Sequence, residues 1–96
     1  MTRKNVLYEE EKNRAAAYEG EHLIGMCHTR QKDGVWTITH TGVDSIYTGR
    51  GIASDLVQCI ADKAREEGAT VRSECSYATH WFSKHSEYSD IYQEET

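Results

Sequence analysis

The strongest constraint on the fold lies between residues 49 and 68. Ile52, Leu56, Ile60 and Ala64 recur every four residues, and Ala53, Val57, Cys59 and Ala61 widen the same stripe. Asp55, Gln58, Asp62, Arg65 and Glu66 occupy the other side. This spacing predicts an amphipathic helix over about residues 51–67, ended by Gly68 in a left-handed cap. Arg65 sits near its C-terminal end, where the helix dipole favours a cation. Cys59 lies on the apolar stripe and reads as an inert packing residue. Before the helix, residues 35–43 alternate and are rich in β-branched side chains, which predicts a strand. After it, residues 69–74 read as another strand. Strand, helix, strand implies parallel neighbours joined by a right-handed crossover.

The rest of the chain adds antiparallel partners. Residues 22–30 read as a strand, with Leu23, Gly25, Cys27 and Thr29 on one face and Ile24, Met26 and His28 on the other. Gly25 inside it suggests a bulge or a close neighbour. Lys32, Asp33 and Gly34 make a hairpin signal, because Asp-Gly supplies the positive φ angles of a tight turn. Val35, Thr37, Thr39 and Thr41 then alternate with Trp36, Ile38 and His40. Residues 13–18 favour helix by propensity, but the turn at Gly20 follows at once, so a strand is expected. Val6, Leu7 and Tyr8 form an edge strand or the approach to one. Residues 1–4 are polar and expected to fray. Residues 78–85 predict a second helix, and Tyr88, Ile91 and Tyr92 are expected to pack the tail onto the core.

Between strand and long helix stands Gly49-Arg50-Gly51. Glycines let ligand oxygens approach the backbone. The first amides of a helix lack partners and carry the positive end of its dipole, so strand, glycine turn and helix make an anion site. Neither Gly-x-x-x-x-Gly-Lys-Ser/Thr nor a complete Gly-x-Gly-x-x-Gly occurs, since the third position of the latter is Ser54.

The 96 residues predict one domain, spanning 1–96, and carry 11 basic against 16 acidic residues, a formal charge of −5. That balance argues against a general nucleic-acid binder. No apolar run approaches a membrane span, and residues 1–5 lack the apolar core of a secretory signal, so a cytoplasmic location is expected. Three widely spaced cysteines make no disulfide framework. Cys75, His80 and His85 match no standard zinc spacing, and no metal is expected.

His40-Thr41-Gly42-Val43, Gly49-Arg50-Gly51-Ile52-Ala53, and Cys75-Ser76-Tyr77-Ala78 followed by Lys84-His85-Ser86-Glu87-Tyr88 together resemble the small, single-domain members of the GNAT N-acetyltransferase superfamily of the YidJ type. The resemblance spans about residues 13–92. It implies an α+β fold: about four strands, mostly antiparallel, with a parallel splayed last pair and two helices, lacking the N-terminal helices of full-length relatives. Acetyl-coenzyme A would lie in the splay. Its pyrophosphate would meet backbone amides of Gly49, Arg50, Gly51, Ile52, Ala53 and Ser54. Its pantetheine arm would pair near Thr41, Gly42 and Val43, and its acetyl end would point at Cys75, with Ser76 and Tyr77 beside it. The chain departs from the superfamily at Ile46, where Gln or Arg is usual, and at Ser73, where many relatives carry proline.

The resemblance implies transfer of acetyl to an amine of unknown identity. Cys75 adds a second route, in which a thiolate accepts the acetyl group first. The N-terminus of the second helix, beside Cys75, would lower its pKa. His40 is expected as the base, with His80 as a second candidate; His22, His28 and His85 read as structural. The alternative is a coenzyme A or acetyl-coenzyme A binding module with little or no transfer.

Overall fold

The computed structural model describes residues 4–93. Among them, five strands form one sheet in chain order: β1 (Lys4–Glu9), β2 (Arg14–Glu19), β3 (His22–Lys32), β4 (Val35–Val43) and β5 (Thr70–Ser73). Neighbours run antiparallel except β4 and β5, which are parallel. Helix α1 (Ile52–Glu66) makes the crossover between them, and α2 (Ser76–Lys84) follows β5. No helix of the described residues is long and apolar enough to cross a membrane.

The expected four strands become five because β1 pairs with β2 along its whole length, from Lys4 opposite Glu19 to Glu9 opposite Arg14. Of the residues expected to fray, 1–3 lie outside the described residues; Lys4 is already in the ladder. A single 3-10 turn, Glu10–Lys12, joins the two strands, with Asn13 in the left-handed region at φ 50. Asparagine tolerates that conformation. In β2, Ala15, Ala16 and Ala17 are fully buried. Pairing on both sides overrides their helical propensity.

Helix α1 lies across the sheet. Ile52, Leu56, Val57, Ile60, Ala61 and Ala64 are all buried against it, as the periodicity predicts. Burial of Ile52, Leu56, Val57 and Ile60 contributes about 1.5–3 kcal/mol each relative to exposure. The helix sits close because Gly25 has no side chain. A Cβ there would meet Leu56 Cδ1 and the Gly42 carbonyl at 3.2 Å and Val43 Cγ2 at 3.3 Å. Gly68, at φ 73, ends the helix in the left-handed cap. The hairpin turn is built on Asp33 and Gly34, at φ 52 and 79.

One expectation about faces fails. Read as simple alternation, Trp36, Ile38 and His40 share a side. The β3–β4 register shifts, however: His28 pairs with His40 and the next residue, Thr29, pairs with Ile38. Thr39 is therefore the extra residue of a bulge, and a bulge reverses the faces beyond it. Trp36 and Ile38 turn into the core with Cys27. Thr41 shares that side, and His40 lies on the other.

After α2, the tail returns to the outer edge of β5. Val71 N–H donates to the Ile91 carbonyl, and Gln93 N–H donates to the Val71 carbonyl, both at 2.8 Å. Phe82 stacks on Tyr92 with ring centroids 4.3 Å apart, and Trp81 and Tyr88 complete the aromatic cluster.

Candidate active site

Strands β4 and β5 part company halfway. Their pairing runs from Val35 opposite Thr70 to Ile38 opposite Ser73, and the Glu74 N–H to Ile38 carbonyl bond, 2.8 Å, closes it. Beyond Ile38, β4 continues to Val43 while the chain after β5 turns away into α2. The strands thus open a wedge, with β4 residues 39–43 along one side and the start of α2 along the other. No described strand residue pairs with this edge of β4. A backbone edge of that kind can receive an extended amide-bearing ligand by hydrogen bonding, as a further strand would.

At the mouth of the wedge the chain makes the glycine turn. Gly49 and Gly51 have φ 81 and 78, and a Cβ on either would point into open space. Their role is conformational: left-handed backbone is costly for residues with a Cβ. Gly51 is the N-cap of α1, and no side chain caps it. A cavity of about 270 Å³ lies in front of this helix end, between Val43, the loop from Tyr47 to Gly49, residues Gly51, Ile52, Ala53 and Ser54, and Tyr77 of α2. Backbone amides and a dipole end facing a cavity suit an anion. Arg50 adds a cation to the same loop, its guanidinium 5.4 Å from the Tyr47 ring centroid. Tyr47 in turn donates to Glu19 Oε1 at 2.6 Å, which ties the loop to the end of β2.

Cys75 stands at the apex of the wedge. It is the N-cap of α2, two residues past the last β5 pair. Ser73 holds its backbone. The Ser73 hydroxyl donates to the Cys75 carbonyl at 2.8 Å, and the Cys75 N–H donates back to Ser73 Oγ at 3.1 Å. Thr79 braces the same hydroxyl at 3.0 Å. The thiol reaches the Thr41 hydroxyl at 3.6 Å. Burial pushes the Cys75 pKa up, but the Ala78 N–H, the Thr41 hydroxyl and the Tyr77 and Thr41 N–H groups outweigh it and hold the thiol below the ordinary cysteine value. The other two cysteines go the opposite way. Burial pushes Cys27 up to about 12 and raises Cys59 as well.

The wedge brings Thr41, Val43, Cys75 and Tyr77 together with the glycine turn. It does not bring His40 to Cys75. His40 shares its face with Gly42, where an added Cβ would lie 3.0 Å from His40 Nε2, and its ring stacks 6.5 Å from that of His28. The bulge at Thr39 has turned it away from the side on which Thr41 meets the thiol. His80 and Ser76 also face elsewhere, into a shallow depression with Glu74 and Ser83. His85 Nδ1–H donates to the Trp81 carbonyl at 2.7 Å, and the ring stacks on that of Trp81. Sequence reasoning missed Tyr47 and Thr48 in the cavity wall, and Ser73 and Thr79 behind Cys75. The departure from proline at Ser73 was the one signal available.

Comparison with known proteins agrees with the fold. Residues 9–91 match the family of GCN5-related N-acetyl-transferases. A search of curated protein sequences gives no match. Among solved structures, a candidate GCN5-like N-acetyltransferase from Staphylococcus aureus, solved by NMR, superposes with a TM-score of 0.77 at 24% identity, covering 100% of this chain and 94% of its own. The ribosomal-protein-S18-alanine N-acetyltransferase of Escherichia coli gives 0.64 at 15% identity, over 79% of this chain and 52% of its own. The N-acetylglutamate synthase of Neisseria gonorrhoeae, complexed with coenzyme A and N-acetyl-glutamate, gives 0.64 at 18% identity, over 83% of this chain and 22% of its own.

Proposed function

The chain belongs to the GCN5-related N-acetyltransferase family, and from that premise we propose that it binds acetyl-coenzyme A in the β4–β5 wedge and passes the acetyl group to an amine by way of Cys75. The observation that carries the reading is the wedge itself, with a cysteine of lowered pKa at its apex and a glycine-led helix N-terminus at its mouth. The donor set fits the coenzyme's parts. Amides of residues 49–54 and the Arg50 cation suit a pyrophosphate. The open edge at Thr41, Gly42 and Val43 suits the two amides of a pantetheine arm. The bound coenzyme supplies an acetyl thioester.

The residues then divide the work. Cys75, its pKa lowered, gives up its proton more readily than an ordinary cysteine, and the thiolate is the reactive form. The Tyr77 and Ala78 amides at the start of α2 stabilise that negative charge. Ser73 and Thr79 fix the backbone from which the thiol projects. His40 is not positioned to take the Cys75 proton, so activation rests on the lowered pKa rather than on a paired base. On the opposite side of the sheet, His40 remains a candidate base for an incoming amine.

The test is an NMR titration of isotope-labelled protein with acetyl-coenzyme A, followed by intact and peptide mass. Shifts at residues 49–54 and at Cys75, with an acetyl mass on the Cys75 peptide, support the reading. Shifts without acetyl on Cys75 and without turnover of any amine would leave a coenzyme-binding module. No shifts at millimolar ligand would overturn both.

A further inference from the structure

Behind Cys75, a second cysteine takes part in the same hydrogen-bonding arrangement. Thr41 Oγ1 lies 3.6 Å from Cys75 Sγ on one side and 3.4 Å from Cys27 Sγ on the other. Two hairpin strands, β3 and β4, and the distant start of α2 each contribute one member. Cys27 is fully buried and Cys75 is partly exposed. A hydroxyl has one proton to donate and can accept at the same time, and a thiol can do either weakly. The chain of three is therefore directional. With Cys75 protonated, its S–H donates to Thr41, and Thr41 donates to Cys27 Sγ.

We propose that Cys27 is a positioning residue for Cys75: through Thr41 it completes a three-member relay whose hydrogen bonds reverse direction when Cys75 loses its proton. In the reversed state, the Thr41 O–H turns to the Cys75 thiolate, and the Cys27 S–H donates to the Thr41 oxygen that this leaves. The proton lost by Cys75 goes to solvent; none passes along the chain. The relay works because Cys27 keeps its proton throughout the pH range in which Cys75 titrates, being held up to about 12 by burial. Without a donor at position 27, the half-buried Thr41 hydroxyl gives its proton to the thiolate with its own oxygen short of a protein partner, and the thiolate is less favoured. The other groups facing the thiol are the amides of Tyr77, Ala78 and Thr41. Glu74, next in the chain, is paired instead with Arg30 at 2.6 Å, and His28 and His40 lie on the other face of the sheet.

The inference rests on Cys75 being the reactive thiol, but its test does not need acetyl transfer. The rate of iodoacetamide alkylation at Cys75 is followed by peptide mass from pH 5 to 10, in wild type, Cys27→Ala, Cys27→Ser, Thr41→Val and Cys27→Ala/Thr41→Val, each checked for native fold by NMR. Cys27→Ala is expected to slow alkylation at pH 7 about 3- to 10-fold and to move the midpoint up, in line with loss of one buried hydrogen bond. Cys27→Ser keeps a donor of nearly the same size and is expected within about twofold of wild type. In the Thr41→Val background the Cys27 substitution should add nothing, because the relay is already cut. A wild-type rate in folded Cys27→Ala, an equal loss in Cys27→Ser, or additive effects in the double variant would each overturn the relay. Should Cys27→Ala not fold, a Cys27→Ser rate far below wild type decides against it in the same way. Failure here with acetyl still found on Cys75 leaves the proposed function standing. The converse result, a working relay and no acetyl, removes that function alone.

Discussion

The two halves of β4 make the most instructive contrast in the molecule. Its first half, Val35 to Ile38, is sewn to β3 on one edge and β5 on the other, and Trp36 and Ile38 are buried. Its second half keeps β3 but has lost β5, and residues 39–43 are only partly buried or exposed. The strand sequence does not announce the change. The difference comes from what β5 does: it ends at Ser73, where a buried hydroxyl bends the chain into α2. One half of a strand then serves the core, while the other keeps an open backbone edge and a Thr41 hydroxyl hydrogen-bonded to thiols.

The contrast is open to attack in order of expected effect. Ile38→Ala, in the sewn half, should cost about 2–5 kcal/mol in urea unfolding, as deletions at fully buried aliphatics do. Thr41→Val, in the open half, removes a half-buried hydroxyl with two weak hydrogen bonds to thiols and should cost about 0.5–1.5 kcal/mol in the same assay. Equal losses would mean the two halves are not energetically distinct. Gly25→Ala crowds Gly42, Val43 and Leu56 together and should cost about 1–3 kcal/mol. Because two of those three atoms belong to the open half, acetyl-coenzyme A affinity by calorimetric titration should fall as well.

Gly51→Ala is a purely conformational change, since nothing lies within 4 Å of its Cβ position but its φ is 78. It should cost about 1 kcal/mol and weaken coenzyme binding several-fold by misaligning the helix amides. The thiols give a smaller, pH-dependent readout. Cys75 has a lowered pKa, so its thiolate, and hence its alkylation, should appear at lower pH than for free cysteine. Cys27 should stay unlabelled in the native state through pH 10. The least effect is expected at the exposed Arg30–Glu74 pair, which bridges β3 to the point where the wedge begins. Hydrogen bonding to Arg30 lowers the Glu74 pKa, so its contribution is present above the ordinary carboxylate pKa and fades as pH falls through the folded value. Glu74→Gln should barely move the urea midpoint at pH 7.

Much of the frame was legible because it is periodic or conformational. The four-residue repeat of α1 predicted its buried side, and Gly68 and Asp33-Gly34 predicted their turns from the positive φ angles they readily adopt. Edge strand β1 was only half legible, because an edge strand with acidic neighbours carries little apolar pattern. The face of His40 was misread because a bulge leaves no mark in alternation: one extra residue at Thr39 keeps the same letters and reverses the face. Tyr47 in the cavity wall had no signal at all, since its place depends on a loop pinned by Glu19.

The sequence by itself determined the crossover unit, strand then glycine turn then amphipathic helix then strand, since each piece is specified by neighbours a few residues away. Only the tertiary structure sets the three thiols apart. Cys27, Cys59 and Cys75 have the same chemistry in isolation. Their pKa values part because burial acts on all three, while only Cys75 combines a helix N-terminus with the hydroxyl and amide of a strand 34 residues earlier. That meeting of distant groups is set by where β5 stops and β4 goes on, which no local pattern encodes.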